Sequence, residues 1–343
     1  MTRLVQVVPH LQLGGMQRMA MLLDEHLPSE GVTSTMIDLQ SLREQRSTPA
    51  VWRWLIQRWR VEHPDAVLAH SALAAAFVLT AARFARVERR LIVVHASRQS
   101  LGPLKTAVVA MLAVTRTATD VVVCGNAALA SFSPWLPRLA RRAVAIPNAI
   151  AEVGERVDDR HRLEASATGE PSALPLRVLV AGRLVPDKRV DVAIRAVAGS
   201  SARLTVCGDG PLLEGLRALA EATGAEVTFA GTIPSEEMAE QYRRHDVLVF
   251  PSELEGLPLV LLEAASHGLA VIAADRPFNH EVLGEAAWYC ASDDPAVWRV
   301  GLNALGADES ERRRLATSAR ERTALFDLTT MVRRYADLMS DRR

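Results

Sequence analysis

Residues 177–212 read RVLVAGRLVPDKRVDVAIRAVAGSSARLTVCGDGPL, in which two short β-branched runs, RVLVAG (177–182) and RLTVCG (203–208), flank one stretch of helical apolar period. That order is the signature of a parallel βαβ unit. The alternation continues toward the C-terminus through VTFAG (227–231), VLVFPS (247–252) and AVIAA (270–274). Toward the N-terminus it gives LVQVV (4–8), STMIDL (34–39), AVLAH (66–70), LIVVH (91–95), VVVC (121–124) and AVAIP (143–147). Between the two sets, residues 151–175 are polar and follow neither period, so they read as a linker or mobile loop. The 343 residues then divide into a doubly wound domain over 1–150, the linker, a second doubly wound domain over 176–325, and a C-terminal helix over 326–343 placed to pack back on the first. The expected fold class is α/β, two doubly wound domains facing across a cleft, with ligands at the carboxyl ends of the strands.

Composition narrows the class further. Forty acidic and 40 basic residues and 49% hydrophobic content exclude a disordered chain, a collagen-like fibre and a disulfide-stapled mini-domain. Cys124, Cys207 and Cys290 are far apart with no C-x-x-C, which indicates neither a disulfide framework nor zinc and fits a reducing cytoplasm. The N-terminus lacks the apolar run of a secretory signal, and no segment of about 18 uncharged apolar residues exists, so a cytoplasmic, soluble protein is expected. Net neutrality hides an asymmetry: residues 1–150 carry 17 Arg and Lys against 9 Asp and Glu, and residues 151–343 carry 23 against 31. No nucleic-acid-binding signature accompanies the basic half, so nucleic acid is not an expected partner. VWRWLIQRWR (51–60) sets Trp52 and Trp59 on one helical face among arginines. It reads either as a crossover helix burying its tryptophans or as a peripheral contact with anionic membrane.

Several residues could carry chemistry. Gly14 and Gly15 precede a helix expected near Met16, where backbone N–H groups can approach an anion, although a flexible turn explains them equally. Arg183 and Lys188 follow the 177–182 strand, and Lys188 is one of only two lysines against 38 arginines, which suggests a point charge for a phosphate; a solvated loop pair is the alternative. Gly208 and Gly210 flank Asp209 in a turn that ordinary turn chemistry also explains. In FPSELEGLPLVLLEAASHG, seven residues separate Glu255 from Glu263, and Pro258 suits the first helical position with Gly256 and Leu257 at the helix start. Glu263 falls among Leu, Val and Ala, where a carboxylate needs hydroxyl donors. This suits a nucleotide sugar, with diphosphate at the helix terminus, ribose on Glu263 and hexose on Glu255; a wet helix face for Glu263 is the alternative. His70 and His95 close their strands, and Asn148 precedes the linker; each is either structural or functional. No D-x-D, G-x-S-x-G or P-loop motif occurs, so a metal-clamped diphosphate, a hydrolase and a P-loop NTPase lose support.

The block running from VLVAGRLVPDKRVDVAIRAVA through LTVCGDGPL to VLVFPSELEGLPLVLLEAASHGLAVIAAD resembles the GT-B fold retaining glycosyltransferases of family 4, the glycosyl transferases group 1. The resemblance implies two Rossmann-like domains and transfer of a hexose or N-acetylhexosamine from a nucleotide sugar to a hydroxyl acceptor, such as a glycolipid, polysaccharide precursor or natural product. A UDP-sugar ranks ahead of a GDP-sugar, and no cofactor or metal is required. It further implies that Arg183 and Lys188 hold the donor diphosphate, Glu263 the ribose, and Glu255 with Gly256, Leu257 and Pro258 the transferred sugar. Gly208 lies in the donor site, Gly14 and Gly15 look like the N-terminal glycine loop, and His95 looks like the active-site histidine. Gln17 stands where many relatives carry an acidic residue, and Ala149 where glycine is usual. The rival readings are a sugar-nucleotide epimerase on the same fold and a non-catalytic nucleotide-sugar binding module.

Overall fold

The structure, a computed structural model, describes residues 1–11, 14–141, 143–151 and 175–340. The linker expected over 151–175 therefore lies, but for its two ends, outside the described residues. Among the described residues two compact units result, one from residues 1–151, 255–257 and 326–340, the other from residues 175–254 and 258–325.

The first unit runs β1 (Thr2–Val8), α1 (Gly15–His26), β2 (Val32–Asp38), α2 (Leu39–Gln45), α3 (Thr48–Glu62), β3 (Ala66–Ala69), α4 (Ala72–Phe84), β4 (Arg89–Val94), α5 (Arg98–Val114), β5 (Asp120–Val123), α6 (Asn126–Ala130), α7 (Pro137–Ala140) and β6 (Ala143–Ala145). Its sheet is parallel throughout, in the order β2-β1-β3-β4-β5-β6. The direction of winding changes between β1 and β3, so the loops after those strands flank a switch point. β3 and β5 are buried along their whole length, as strands covered by helices on both faces must be.

The second unit runs β7 (Arg177–Ala181), α8 (Val190–Val197), β8 (Arg203–Cys207), α9 (Leu213–Thr223), β9 (Val227–Gly231), α10 (Ser235–Arg244), β10 (Val247–Phe250), α11 (Leu259–Ser266), β11 (Ala270–Ala274), α12 (Pro277–Leu283), β12 (Trp288–Cys290), α13 (Pro295–Ala307) and α14 (Glu309–Arg322). Its parallel sheet has the order β12-β11-β10-β7-β8-β9. Counted from β7 this is 3-2-1-4-5-6 read from the far edge, the order of dinucleotide-binding sheets, with its switch point between β7 and β10. The last helix, α15 (Leu328–Ser340), groups with the first unit, where Arg334 donates to the Ala145 carbonyl at 2.7 Å.

Several boundaries differ from the sequence reading for local reasons. Asp38 ends β2 by capping α2, accepting from the N–H groups of Gln40 and Ser41 at 2.9 and 3.3 Å, so Leu39 is helical. β12 is only three residues long, too short for a period to show. α1 starts at Gly15, next to the start expected near Met16. Pro258 is the residue capping α11, not its first position, and Gly256 and Leu257 precede the helix. In α3 two of the three tryptophans of the 51–60 segment pack against the fold: Trp59 is buried, and Trp52 donates to Thr80 Oγ1 at 3.4 Å and meets Phe84 edge-on at 5.3 Å. Between the two readings of that segment, these contacts are those of a crossover helix.

The loops after β7 and β8 pack backbone on backbone. Gly182 N–H donates to the Cys207 carbonyl at 2.9 Å, and Leu184 N–H to the Asp209 carbonyl at 2.9 Å. Gly208 has φ 146°, and a Cβ there would lie 1.9 Å from the Gly182 carbonyl oxygen. Gly215, inside α9, has no atom within 4 Å of the corresponding point. Gly208→Ala should therefore lower the thermal unfolding midpoint sharply or prevent folding, whereas Gly215→Ala should raise stability by about 0.5–1 kcal/mol. Melting curves of the two variants check both signs.

Candidate functional site

In the first unit a buried polar chain runs beneath the switch point. Gln6 sits inside an otherwise apolar strand and is fully buried. Its Nε2 lies 3.2 Å from the Ala20 carbonyl and 2.9 Å from Ser34 Oγ. A carbonyl oxygen only accepts, so the amide orientation is settled: Nε2 donates there, and Oε1, 2.9 Å from His70 Nε2, must accept. Neutral His70 then carries its proton on Nε2, and its bare Nδ1, 3.2 Å from His95 Nε2, takes the His95 N–H. His95 is left with Nδ1 as its unprotonated, accepting atom. Burial pulls His95 down to about 4, and burial together with the neighbouring His95 holds His70 well below its ordinary value. Both rings are neutral at pH 7.

Gly14 precedes α1 with extended backbone, and the helix start has neither a side-chain cap nor an acidic residue in its first turn. Gln17, buried, reaches back to the loop after β1, its Nε2 3.2 Å from His10 Nδ1. Glu255–Leu257 belongs to this unit as well. A Cβ at Gly256 would lie 2.5 Å from the His95 carbonyl oxygen and 2.6 Å from Cys124 Sγ, so glycine is required for that close approach. Asn148 Nδ2 donates to the Leu257 carbonyl at 3.3 Å, giving this buried amide a structural duty. The fold thus joins His95 and Gly256, far apart in sequence, through direct backbone contact.

In the second unit the basic pair sits at the switch point. Arg183 follows β7 and is exposed; its carbonyl accepts from Val185 N–H at 3.0 Å, while its side chain has no hydrogen bond or ion pair among the described residues. Lys188 ends the 3-10 turn Pro186–Lys188 and is half-buried. That turn is anchored to the loop after β10, because the Asp187 carbonyl accepts from Glu253 N–H at 2.9 Å and Ser252 Oγ at 3.3 Å. Arg189 serves the fold instead, held by Glu253 at 2.5 Å and Asp293 at 2.6 Å. Glu263, on α11, accepts from the hydroxyl of buried Tyr242 at 2.7 Å. The hydroxyl donor that the apolar surroundings of Glu263 demanded is thus partly supplied by α10. Gly208 faces the Gly182 carbonyl, so its missing side chain already has a packing reason. Among the described residues no group of three or more His, Cys, Asp and Glu is arranged to hold a metal ion.

This arrangement offers an arginine side chain without a partner among the described residues and a lysine at the switch point of a 3-2-1-4-5-6 sheet, with a carboxylate on the adjacent helix. Residues 170–322 match the family model of glycosyl transferases group 1. The matched span includes Arg183, Lys188, Gly208 and Glu263. An exopolysaccharide phosphotransferase of Streptomyces coelicolor is 32% identical over 215 residues, 60% of this chain and 21% of that protein. A sulfoquinovosyl transferase of Arabidopsis thaliana is 33% identical over 177 residues, 49% of this chain and 34% of the other. The chain thus spans between a fifth and a third of the length of these two relatives. HepE of Anabaena, whose crystal structure holds UDP and glucose, superposes with a TM-score of 0.81 over 99% of this chain and all of the other, at 18% identity. That likeness is one of fold: α/β, with two Rossmann-like units of GT-B type.

Two contributors escaped the sequence reading. Gln6 had a signal, a polar residue in the middle of a parallel strand that should be apolar. Tyr242 had none, because nothing local tells that its helix meets α11. The histidine pair also makes stability depend on pH. Both rings have folded-state values below the ordinary 6.5, so the unfolded chain takes up protons first as the pH falls. Their contribution is complete above about pH 6.5 and is lost on acidification toward about 4. Urea unfolding at a series of pH values should show this fall, and a smaller one in His95→Asn; equal falls in both proteins would remove the pair as its source.

Proposed function

We propose that the protein is a retaining glycosyltransferase that moves a hexose or N-acetylhexosamine from a nucleoside diphosphate sugar to a hydroxyl acceptor. The observation that carries the reading is Arg183 and Lys188 at the switch point of a 3-2-1-4-5-6 sheet inside the span that matches glycosyl transferases group 1. A UDP-sugar is the preferred donor, a choice supported by the UDP and glucose bound to HepE.

In this mechanism the diphosphate rests on Arg183 and Lys188. The bond between the sugar's anomeric carbon and the diphosphate oxygen breaks, and a bond from that carbon to the acceptor oxygen forms on the same face. The acceptor's hydroxyl proton passes to the departing phosphate oxygen, and the growing charge falls on the two cations. No metal is needed for that neutralisation in this reading. Glu263, steadied by Tyr242, accepts from the ribose hydroxyls, and Glu255 with the backbone of Gly256 and Leu257 orients the sugar. His95 is a poor proton store at neutral pH, being held at about 4, and acts as a neutral hydrogen-bond acceptor for a substrate hydroxyl through Nδ1.

Each charge-assisted contact to diphosphate contributes about 1.5–3 kcal/mol, so Arg183→Ala and Lys188→Ala should each weaken UDP roughly ten- to a hundredfold by calorimetric titration. Unchanged affinity in both would remove the phosphate assignment. Glu263→Ala should weaken UDP, whereas Glu255→Ala should keep UDP binding and lose transfer; identical behaviour would end the division of roles. A melting-temperature panel of UDP, GDP and ADP and their sugars tests the donor, since a ligand of the folded state raises the midpoint. Selective stabilisation by a GDP-sugar would overturn the donor choice. Conversion of a sugar nucleotide with no acceptor present would favour an epimerase, and binding without turnover a carrier module.

A further inference from the structure

Arg189 breaks two local rules at once. It has φ 48° and ψ 39°, the left-handed conformation that suits glycine, and no other non-glycine residue described in the second unit has a positive φ. It also stands at the start of α8, where the positive end of the helix dipole disfavours a cation, and no side chain caps that start. The surroundings compel both. Arg189 Nη1 lies between Glu253 at 2.5 Å and Asp293 at 2.6 Å, and its Nε is 3.4 Å from Asp191 in the first turn of α8. One guanidinium thereby joins the loops after β7, β10 and β12. Lys188 sits between two ties to the same loop: before it the Asp187 carbonyl accepts from Glu253 N–H and Ser252 Oγ, and after it Arg189 holds the Glu253 side chain. The Lys188 N–H itself closes the turn on the Val185 carbonyl at 3.1 Å.

We propose that Arg189 is a positioning residue for the donor diphosphate, acting through Lys188. The inference rests on the assignment of Lys188 to the diphosphate in the proposed function. Backbone strain of this kind persists only where the surroundings over-determine it, and it gathers at sites that hold ligands. A glycine would take the same backbone without strain, so what the arginine adds is its guanidinium. That group does two things. It fastens the turn carrying Lys188 to residues 252–253, which narrows the space the ammonium explores before a ligand arrives. It also engages the carboxylates of Glu253, Asp293 and Asp191, which would otherwise compete with a diphosphate for the neighbouring lysine and repel the incoming anion. Arg276, 3.9 Å from Asp293, reinforces the same cluster. With its Nη1 and Nε turned to carboxylates, Arg189 holds the turn and leaves the ligand to Lys188.

The test is a double-mutant cycle on the full chain, read by calorimetric titration with UDP. Arg189→Gly permits the same backbone and removes the ties, and it should weaken UDP about tenfold. Combined with Lys188→Ala it should bind UDP no more than about twofold more weakly than Lys188→Ala alone, because the residue it positions is gone. A role in stability alone would carry the whole loss into the Lys188→Ala background. Glu253→Gln leaves residue 189 in place and should give the same non-additive pattern with Lys188→Ala, so the cycle stands even where Arg189→Gly does not fold. The proposal fails if Arg189→Gly and Glu253→Gln bind UDP like wild type, or if their losses add in full to that of Lys188→Ala. Either result, with Lys188→Ala itself weakened, overturns the positioning role and leaves the donor reading standing. Unchanged binding in Lys188→Ala removes the phosphate assignment and this inference with it.

Discussion

A Cβ at position 208 would lie 1.9 Å from the carbonyl oxygen of Gly182, so the loops after β7 and β8 can meet only if that atom is missing. Their contact aligns Gly182 N–H with Cys207 and Leu184 N–H with Asp209, and it shapes the turn from which Arg183 projects. The Asp187 carbonyl then ties the same loop to the one after β10, across the switch point. Arg183 owes its exposure to this arrangement. Arg189, in the same segment, is neutralised by Glu253 and Asp293, so the segment separates a guanidinium tied into the fold from an exposed one.

The first unit answers a different constraint, the cost of burying polar groups without partners. Gln6 has no access to water, and each of its amide atoms must find a partner inside the protein. The Ala20 carbonyl dictates which end of the amide donates, and from that one fact the protons on His70 and His95 follow in turn. A residue on β1 thus fixes which nitrogen of a ring two strands away carries its lone pair. Gly256, pressed on the carbonyl of His95, adds a second restraint on that residue's backbone.

The layout was legible because parallel βαβ units announce themselves twice, through β-branched runs and through the helical period between them. Eleven strands could be placed from those runs, and the 3-residue β12 was too short to register. The residues proposed to hold the donor were chosen for a related reason: in such sheets ligand contacts gather where strands end, and Arg183, Lys188 and Glu255 lie in those loops. What escaped were relations between elements. That Tyr242 meets Glu263, that Asn148 meets Leu257 and that Arg189 has two carboxylates depend on how helices and loops pack, and no local spacing encodes it. Pro258 shows the limit at finest scale, since a proline suits both a cap and the first helical turn, and the backbone here makes it the cap.

Charged and aromatic periodicity is open to the same error on a larger scale. A stripe of tryptophans among arginines describes an amphipathic helix, but it does not say whether the apolar side meets water or protein. In α3 that side meets α4, and the arginines cover what remains: Arg46 and Arg58 lie over Trp54 at 5.4 and 5.1 Å. In α5 the apolar residues run nearly all round, yet only Val109 and Leu112 of them are buried.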